Sequence, residues 1–280
     1  MGTSSMYGGP GGGPPKGNPL LPPDFDPDAP EQPQPDAYQD PQDDQDDNEE
    51  VDAPNRMEAN SVPQTSWQSA KTSMAKFASG NAGSAASSLS GYVKAYGGAR
   101  SASKSMPAGI RTTVSLGDFV NRVASSSFRE TLDGYQINYD GKSVTEVLTQ
   151  LISVLAPSPV TREDSIARKA LILTMEELYE RVEDNGIDIM DLDAEGLNFI
   201  IPCYVKSFIN ERLLNDLGSR VEGADITPDK AIEIETELRE YIDSKVDVVF
   251  TGKDFSNTPF TTEEVESIYN QCYTAMEIML

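Results

Sequence analysis

Apolar positions recur at helical spacing through the second half of the chain. Val144, Val147, Leu148, Leu151, Ile152 and Leu155 fall at i, i+3, i+4, i+7, i+8 and i+11, which lays one stripe along a helix that APSP then ends. Thr161 with Asp164 predicts the start of a helix that turns Ile166, Leu171, Met175, Leu178 and Val182 inward and stops near Asn185-Gly186. A further helix is expected from about Asp193 to Leu217, with Pro202 either kinking it or opening a second segment. Thr227-Pro228 supplies an N-cap and a proline at the first helical position, ahead of Ile234, Leu238, Tyr241 and Ile242. Thr261 and Glu264 cap a last helix with Val265, Ile268, Tyr269, Cys272 and Met276 inside. Upstream, Ser115 and Asp118 resemble a capping pair for a short helix through LGDFVNRVASSSF, and GYQINYDG reads as a small hairpin or a loop. These elements make residues 113–280 a compact α-helical domain.

Residues 64–112 have another texture, rich in Ala, Ser and Gly, with Trp67, Met74 and Phe77 on one expected helical face and Tyr92 and Tyr96 on another. Helices so poor in apolar surface need something to dock on, either the C-terminal domain or a partner chain. Lys71, Lys76, Lys94, Arg100, Lys104 and Arg111 interleave with these aromatics. That is the composition of a weak nucleic-acid-binding arm, but also of an intramolecular clamp onto an acidic body, and the clamp is the preferred reading.

Charge sharpens the division. The chain carries 46 Asp and Glu against 22 Lys and Arg. The acid lies at the two ends: residues 1–60 and 131–280 are strongly negative and 61–130 net positive. An acidic total disfavours nucleic-acid contact over the whole surface. Residues 1–63, from the Gly/Pro-rich opening through PPDFDPDAPEQPQPDAYQDPQDDQDDNEEVDAP, hold too few apolar side chains to offset chain entropy. The expected fold class is therefore mainly α, a compact helical C-terminal domain preceded by a long disordered Gly/Pro/Asp-rich N-terminal tail.

Little in the chain supports catalysis. There is no histidine, so the usual triads, zinc sites and proton shuttles lose a member. Cys203 and Cys272 lie far apart in apolar helical patterns and read as buried thiols of a reducing cytoplasm. DNGIDIMDLDAEG alternates acids, but neither frame of a calcium loop fits: starting at Asp184 puts Ile189 where glycine is needed, and starting at Asp191 puts Pro202 where the bidentate Glu belongs. A solvated loop with helix-capping acids is expected there. Glu176-Glu177 and Glu233, Glu235 and Glu237 read as solvent faces. No phosphate-binding or nucleophile-elbow motif occurs. The sequence thus predicts no enzyme, metal or cofactor, no apolar run long enough to span a bilayer and no secretory leader, hence a cytosolic protein with no membrane partner.

The opening, MGTSSMYGGPGGGPPKGNPLLPPD, offers a different kind of chemistry. Gly2 after Met1 is small enough for the initiator methionine to be removed, leaving an unhindered α-amine. Such an amine titrates near ~7.7–8.0, against ~10.4 for lysine, so far more of it is unprotonated at neutral pH. Residues 2–23 extended at ~3.3 Å per residue would reach about 70 Å, enough to enter a deep active site.

This opening, most specifically MGTSS, YGGP and NPLLPPD, resembles the N-terminus of the QatB family of the four-component bacterial Qat anti-phage defence systems. The resemblance implies three companions: a P-loop ATPase (QatA), a QueC-like enzyme of the deazaguanine type (QatC) and a TatD-like nuclease (QatD). It further implies that the QueC-like enzyme, which activates a deazaguanine carboxylate with ATP for attack by an amine, takes the Gly2 amine in place of ammonia. On that reading Gly2 is the modified residue, Thr3, Ser4 and Ser5 contact the tunnel, and Tyr7, Gly8, Gly9 and Pro10 belong to the partner-binding tail. Leu20 and Leu21 anchor on the partner or on the chain's own helical domain. The alternatives are a scaffolding adaptor with an unmodified tail, and a nucleic-acid-binding arm at 65–112.

Overall fold

Small side-chain oxygens set where many of the helices begin. In the computed structural model, which describes residues 67–80, 83–223, 226–253 and 259–278, the order is α1 (Trp67–Ala78), α2 (Ala85–Ala95), α3 (Ala99–Lys104), α4 (Pro107–Ser125), α5 (Phe128–Gly134), α6 (Val144–Leu155), α7 (Arg162–Asn185), α8 (Ile200–Leu217), α9 (Ser219–Glu222), α10 (Pro228–Phe250) and α11 (Thr262–Glu277). No strand occurs among the described residues. Thr161 accepts from the Asp164 N–H while Asp164 takes the Thr161 N–H at 2.9 Å, and Thr261 with Glu264 repeats the device on α11. Ser143 and Glu146 do the same for α6. Each such cap supplies a partner for otherwise orphaned N–H groups and contributes about 1 kcal/mol. Thr227 and Pro228 open α10, and Gly186 at φ +60° ends α7 in the left-handed conformation that a side chain would resist.

α8 sits at the centre, against α4, α7, α9 and α10. Its buried residues run right round its circumference: Ile200, Ile201, Tyr204, Val205, Phe208, Ile209, Leu213 and Leu217, together with Asn210, Glu211 and Arg212. α11 packs on α2, α3, α4 and α10. Glu277 at its end ties the first helices down, its carbonyl accepting from Ser90 Oγ at 2.8 Å and its carboxylate from the Ala99 N–H at 3.2 Å. Gly109 of α4 lies against the Phe208 ring, where an added Cβ would overlap it.

Several sequence expectations need correcting. Ser115 and Asp118 do not start a helix: α4 begins eight residues earlier with Pro107 at its first position, and Ser115 Oγ donates within it to the Arg111 carbonyl. The helix therefore runs straight through residues 112 and 113, the expected boundary between segments. GYQINYDG forms turns, Ile137 closing onto the Leu132 carbonyl at 3.0 Å, so the loop alternative holds. Pro202 lies in the first turn of α8, so it opens a segment and kinks nothing. Cys272 is buried, whereas Cys203 is only half-buried because it borders a cleft.

Candidate functional site: an aromatic clasp and an acidic cleft

The weakly apolar helices α1 and α2 dock on the chain's own later helices, α1 on α9 and α10 and α2 on α10 and α11, and tyrosines at the end of α2 fasten them to an arginine and an aspartate of α8. Trp67 meets Tyr96 edge-to-face at 5.0 Å and Tyr92 at 6.0 Å, and the two tyrosines meet each other at 5.3 Å. Such pairs contribute about 0.5–1.5 kcal/mol each beyond their buried area. Tyr92 and Tyr96 both donate to Asp216 Oδ2, at 3.0 and 2.8 Å. Arg212 Nη2 donates to Tyr96 OH at 3.1 Å and to the Ser105 carbonyl and hydroxyl at 2.8 and 2.9 Å. Tyr96 thus bridges the two charges, accepting from the cation and donating to the anion. The guanidinium carbon lies 4.9 Å from the Tyr96 ring centre, while Nη1 has no hydrogen-bond partner. Burial alone disfavours the charged guanidinium, but the phenols of Tyr273, Tyr92 and Tyr96 more than offset this and hold Arg212 above the ordinary arginine value. Burial also raises Tyr92 well above the usual phenol value, with Tyr273, Tyr96 and Asp216 adding to it. Met74 and Phe77 of α1 are buried in the core.

The charge clamp between the basic segment and the acidic body is narrower than its composition suggests. Arg111 pairs with Asp164 at 2.8 Å and Arg129 approaches Asp188 at 3.9 Å. Lys71 and Lys76 of α1 instead border an open groove of about 410 Å³ together with Arg220.

A second concavity, of about 280 Å³, opens between α7, α8 and α10. Asn210, 4 % exposed, lines it, and its Oδ1 has no hydrogen-bond partner. Asp243 faces it half-buried, and burial pushes its carboxyl above the usual carboxylate range although Lys206 and Arg239 pull the other way. Lys206 is engaged by Asp247 at 2.7 Å, and Glu177 by Arg181 at 2.8 Å. Cys203 borders the same cleft; burial pushes its thiol up, against a hydrogen bond with Thr174. The Cys272 thiol, in the core, is pushed up to about 12 by burial. Across the ridge formed by Glu176 and Glu180 lies a groove between α6 and α7, where Ile172 and Tyr179 stand partly exposed over Leu148, Ile152 and Met175.

The acidic loop behaves as a set of caps. Asp188 accepts from the Met190 N–H at 2.9 Å and Asp193 from the Gly196 N–H at 2.8 Å. Among the described residues no group of three or more His, Cys, Asp or Glu is placed to hold a metal ion, and no helix is long and apolar enough to cross a membrane. Gly2, Thr3, Ser4, Ser5, Tyr7, Gly8, Gly9, Pro10, Leu20 and Leu21 lie outside the described residues. Sequence reasoning singled out Trp67, Met74, Phe77, Tyr92 and Tyr96; the fold brings Trp67, Tyr92 and Tyr96 into contact and buries Met74 and Phe77 in the helical core. It missed Asn210, Arg212, Asp216 and Asp243. For the first three the available signal was the run INERLLND, polar residues inside a helix whose apolar positions leave no side free for solvent; Asp243 of α10 had none.

The architecture is that of an all-helical module closed on itself by its own first helices. A family model described as "Qat anti-phage system associated protein QatB" matches residues 97–279, and the chain belongs to that family. The matched span holds Arg212, Asp216 and the whole cleft, whereas Trp67, Tyr92 and Tyr96 and the opening motif precede it. No curated protein and no solved structure matches the chain.

Proposed function

We propose that this anti-phage system component is a non-enzymatic partner and the protein substrate of the system's QueC-like enzyme, QatC. The enzyme would join the carboxylate of a 7-deazaguanine base to a phosphoryl or adenylyl group from ATP, and the neutral Gly2 amine, freed by removal of Met1, would attack that carbonyl carbon, expel the ATP-derived group and lose a proton to leave an amide. The observation that carries this reading is the opening MGTSSMYGGP, which presents an amine with no side chain beside it, followed by small polar residues. Thr3, Ser4 and Ser5 would contact the enzyme's tunnel, with Tyr7, Gly8, Gly9, Pro10, Leu20 and Leu21 holding the tail in place. The P-loop ATPase QatA and the TatD-like nuclease QatD of the same system are further candidate partners. Intact-mass measurement of the chain made with and without an active QueC-like companion tests the reading. A mass increase confined to the N-terminal peptide is expected, and an unmodified Gly2 in the presence of the active companion refutes it.

The groove bordered by Lys71, Lys76 and Arg220 favours one further reading, contact with a phosphate backbone. That contact would weaken steeply with added salt and vanish when these three residues are neutralised. DNA retention that survives the neutralisation removes it.

A further inference from the structure

One face of α1 is turned out of the core and carries cations. Gln68, Lys71, Thr72, Ala75 and Lys76 recur at i, i+3, i+4, i+7 and i+8, away from the buried Ala70, Met74 and Phe77, and with Arg220 of α9 they line the open groove of about 410 Å³. Lys71, Lys76 and Arg220 enter no ion pair among the described residues, in a chain with 46 Asp and Glu against 22 Lys and Arg. From Trp67 to Gly117 there are six Lys and Arg and no Asp or Glu, so nothing along this stretch answers the charge.

The acid that can answer it stands just upstream. Eight of the thirteen residues from Asp40 to Asp52 are Asp or Glu, and none is Lys or Arg. Fourteen residues, 53–66, separate this run from Trp67, and at ~3.3 Å per residue they span up to about 50 Å. The twelve residues of α1 are only about 18 Å long. The run can therefore double back along the groove, and a tether this short holds it there at roughly millimolar effective concentration. A nucleic acid or a second copy of the chain would bring the same sign of charge, but without the tether.

We propose that the groove between α1 and α9 is the docking site of the chain's own acidic run, residues 40–52, whose carboxylates pair with Lys71, Lys76 and Arg220. Each exposed pair contributes little, and the sum falls as salt rises. The contact is independent of the Gly2 chemistry, and also of any phosphate backbone, which would have to displace the run to reach the same cations. Docked so, the run fixes the point from which the first 39 residues leave the helical body.

Zero-length cross-linking of the full-length chain with a carbodiimide at low salt tests the proposal, because the reagent joins a carboxylate to a lysine amine only where the two meet. Peptide mass spectrometry should find residues 40–52 joined to Lys71 and Lys76 within one chain, with the yield falling toward background at roughly 0.5 M salt. Lys71 is close to the run in sequence, so tethering alone gives some product, and Arg220 separates the two cases. Arg220→Glu leaves the tether and both lysines untouched and should lower the yield by about threefold or more, the scale of one exposed ion pair turned into a repulsion. Arg239→Glu, at the cleft between α7, α8 and α10, changes the net charge equally and should leave the yield as it was. Lys76→Gln is a second variant, expected to lower the yield at Lys71. A yield indifferent to Arg220→Glu, or one that Arg239→Glu lowers as much, overturns the proposal. So do products that join labelled to unlabelled chains in an isotope mixture, which would assign the groove to a second copy. Retention of duplex DNA reads the phosphate-backbone contact separately, so either idea can fail alone.

Discussion

Arg212 and Asn210 lie two residues apart on α8, both buried, and the chain treats them differently. On one side of the helix the guanidinium is gathered in by Tyr96, Ser105 and the Tyr96 ring, with Asp216 one bond further on. On the other side Asn210 and Asp243 line a cleft, with Asn210 Oδ1 sealed in without a hydrogen-bond partner and Asp243 in no ion pair among the described residues. The clasp is built from residues far upstream, 107 and 116 positions away, so it joins early helices to a late one. The cleft is built from neighbours along α7, α8 and α10 that could have carried apolar side chains. A buried charge that is enclosed by its own chain is a fastening. Polar groups buried beside a surface concavity without partners cost stability instead.

Raising the pH attacks the clasp side first and with the largest expected effect. The phenols of Tyr92, Tyr96, Tyr269 and Tyr273 are all held above the usual value of about 10, chiefly by burial, so the folded state favours their neutral form. Stability that depends on them is intact below about pH 10 and is lost as pH climbs from there toward the raised folded values. Tyrosinate absorbance from these buried rings should appear together with loss of helical ellipticity, after the exposed rings have titrated. Ionisation of every tyrosine with the helices intact would show that the clasp is already open. Arg212→Leu comes next. It leaves Asp216 and two phenols without their cation and is expected to cost about 3 kcal/mol, read as a fall in Tm of roughly 6–12 °C. Trp67, the only tryptophan, should shift its emission to the red in the same variant, reporting the loosened α1. The smallest effect belongs to the cleft. Because the folded-state value of Asp243 is raised, its contribution is favourable below the unfolded carboxylate value and is lost as pH rises through the folded one. Asp243→Asn should therefore stabilise the free protein near neutral pH, read as a small rise in Tm. A loss of stability instead would mean that Asp243 already has a partner, and the contrast with Arg212 would fail.

Helix ends were the most legible feature of the sequence, because a cap is a local bargain among four residues. Thr161 with Asp164, Thr227 with Pro228, Thr261 with Glu264 and Asn185-Gly186 all stand where their chemistry put them. The start of α4 was not legible. Its large buried apolar residues, Leu116, Phe119, Val120 and Val123, gather in the second half, whereas the first turns bury Ala108, Gly109, Thr112 and Thr113 with Ile110 the one large apolar residue among them, and Gly109 makes sense only once Phe208 fills the space beside it. The polar triplet Asn210, Glu211 and Arg212 was hidden for the opposite reason. Such residues ordinarily mark a solvent face, and only the central position of α8, with Lys169 reaching Glu211 at 2.6 Å, turns them inward. The role of Asp216 needed Tyr92 and Tyr96 in three dimensions, since 120 or more positions of chain separate them.

The bonds made by Glu277 have a consequence in time. Ser90 and Ala99 wait for a residue 178 or more positions later in the chain. At ~5–20 residues per second of synthesis, the interval is on the order of ten to forty seconds. Throughout it α2 and α3 lack the surface of α11 on which they rest. The order of translation therefore runs against the order of closure: the earliest described helices are among the last to be secured, and a ribosome paused late in the message would hold a body whose first helices are still unfastened.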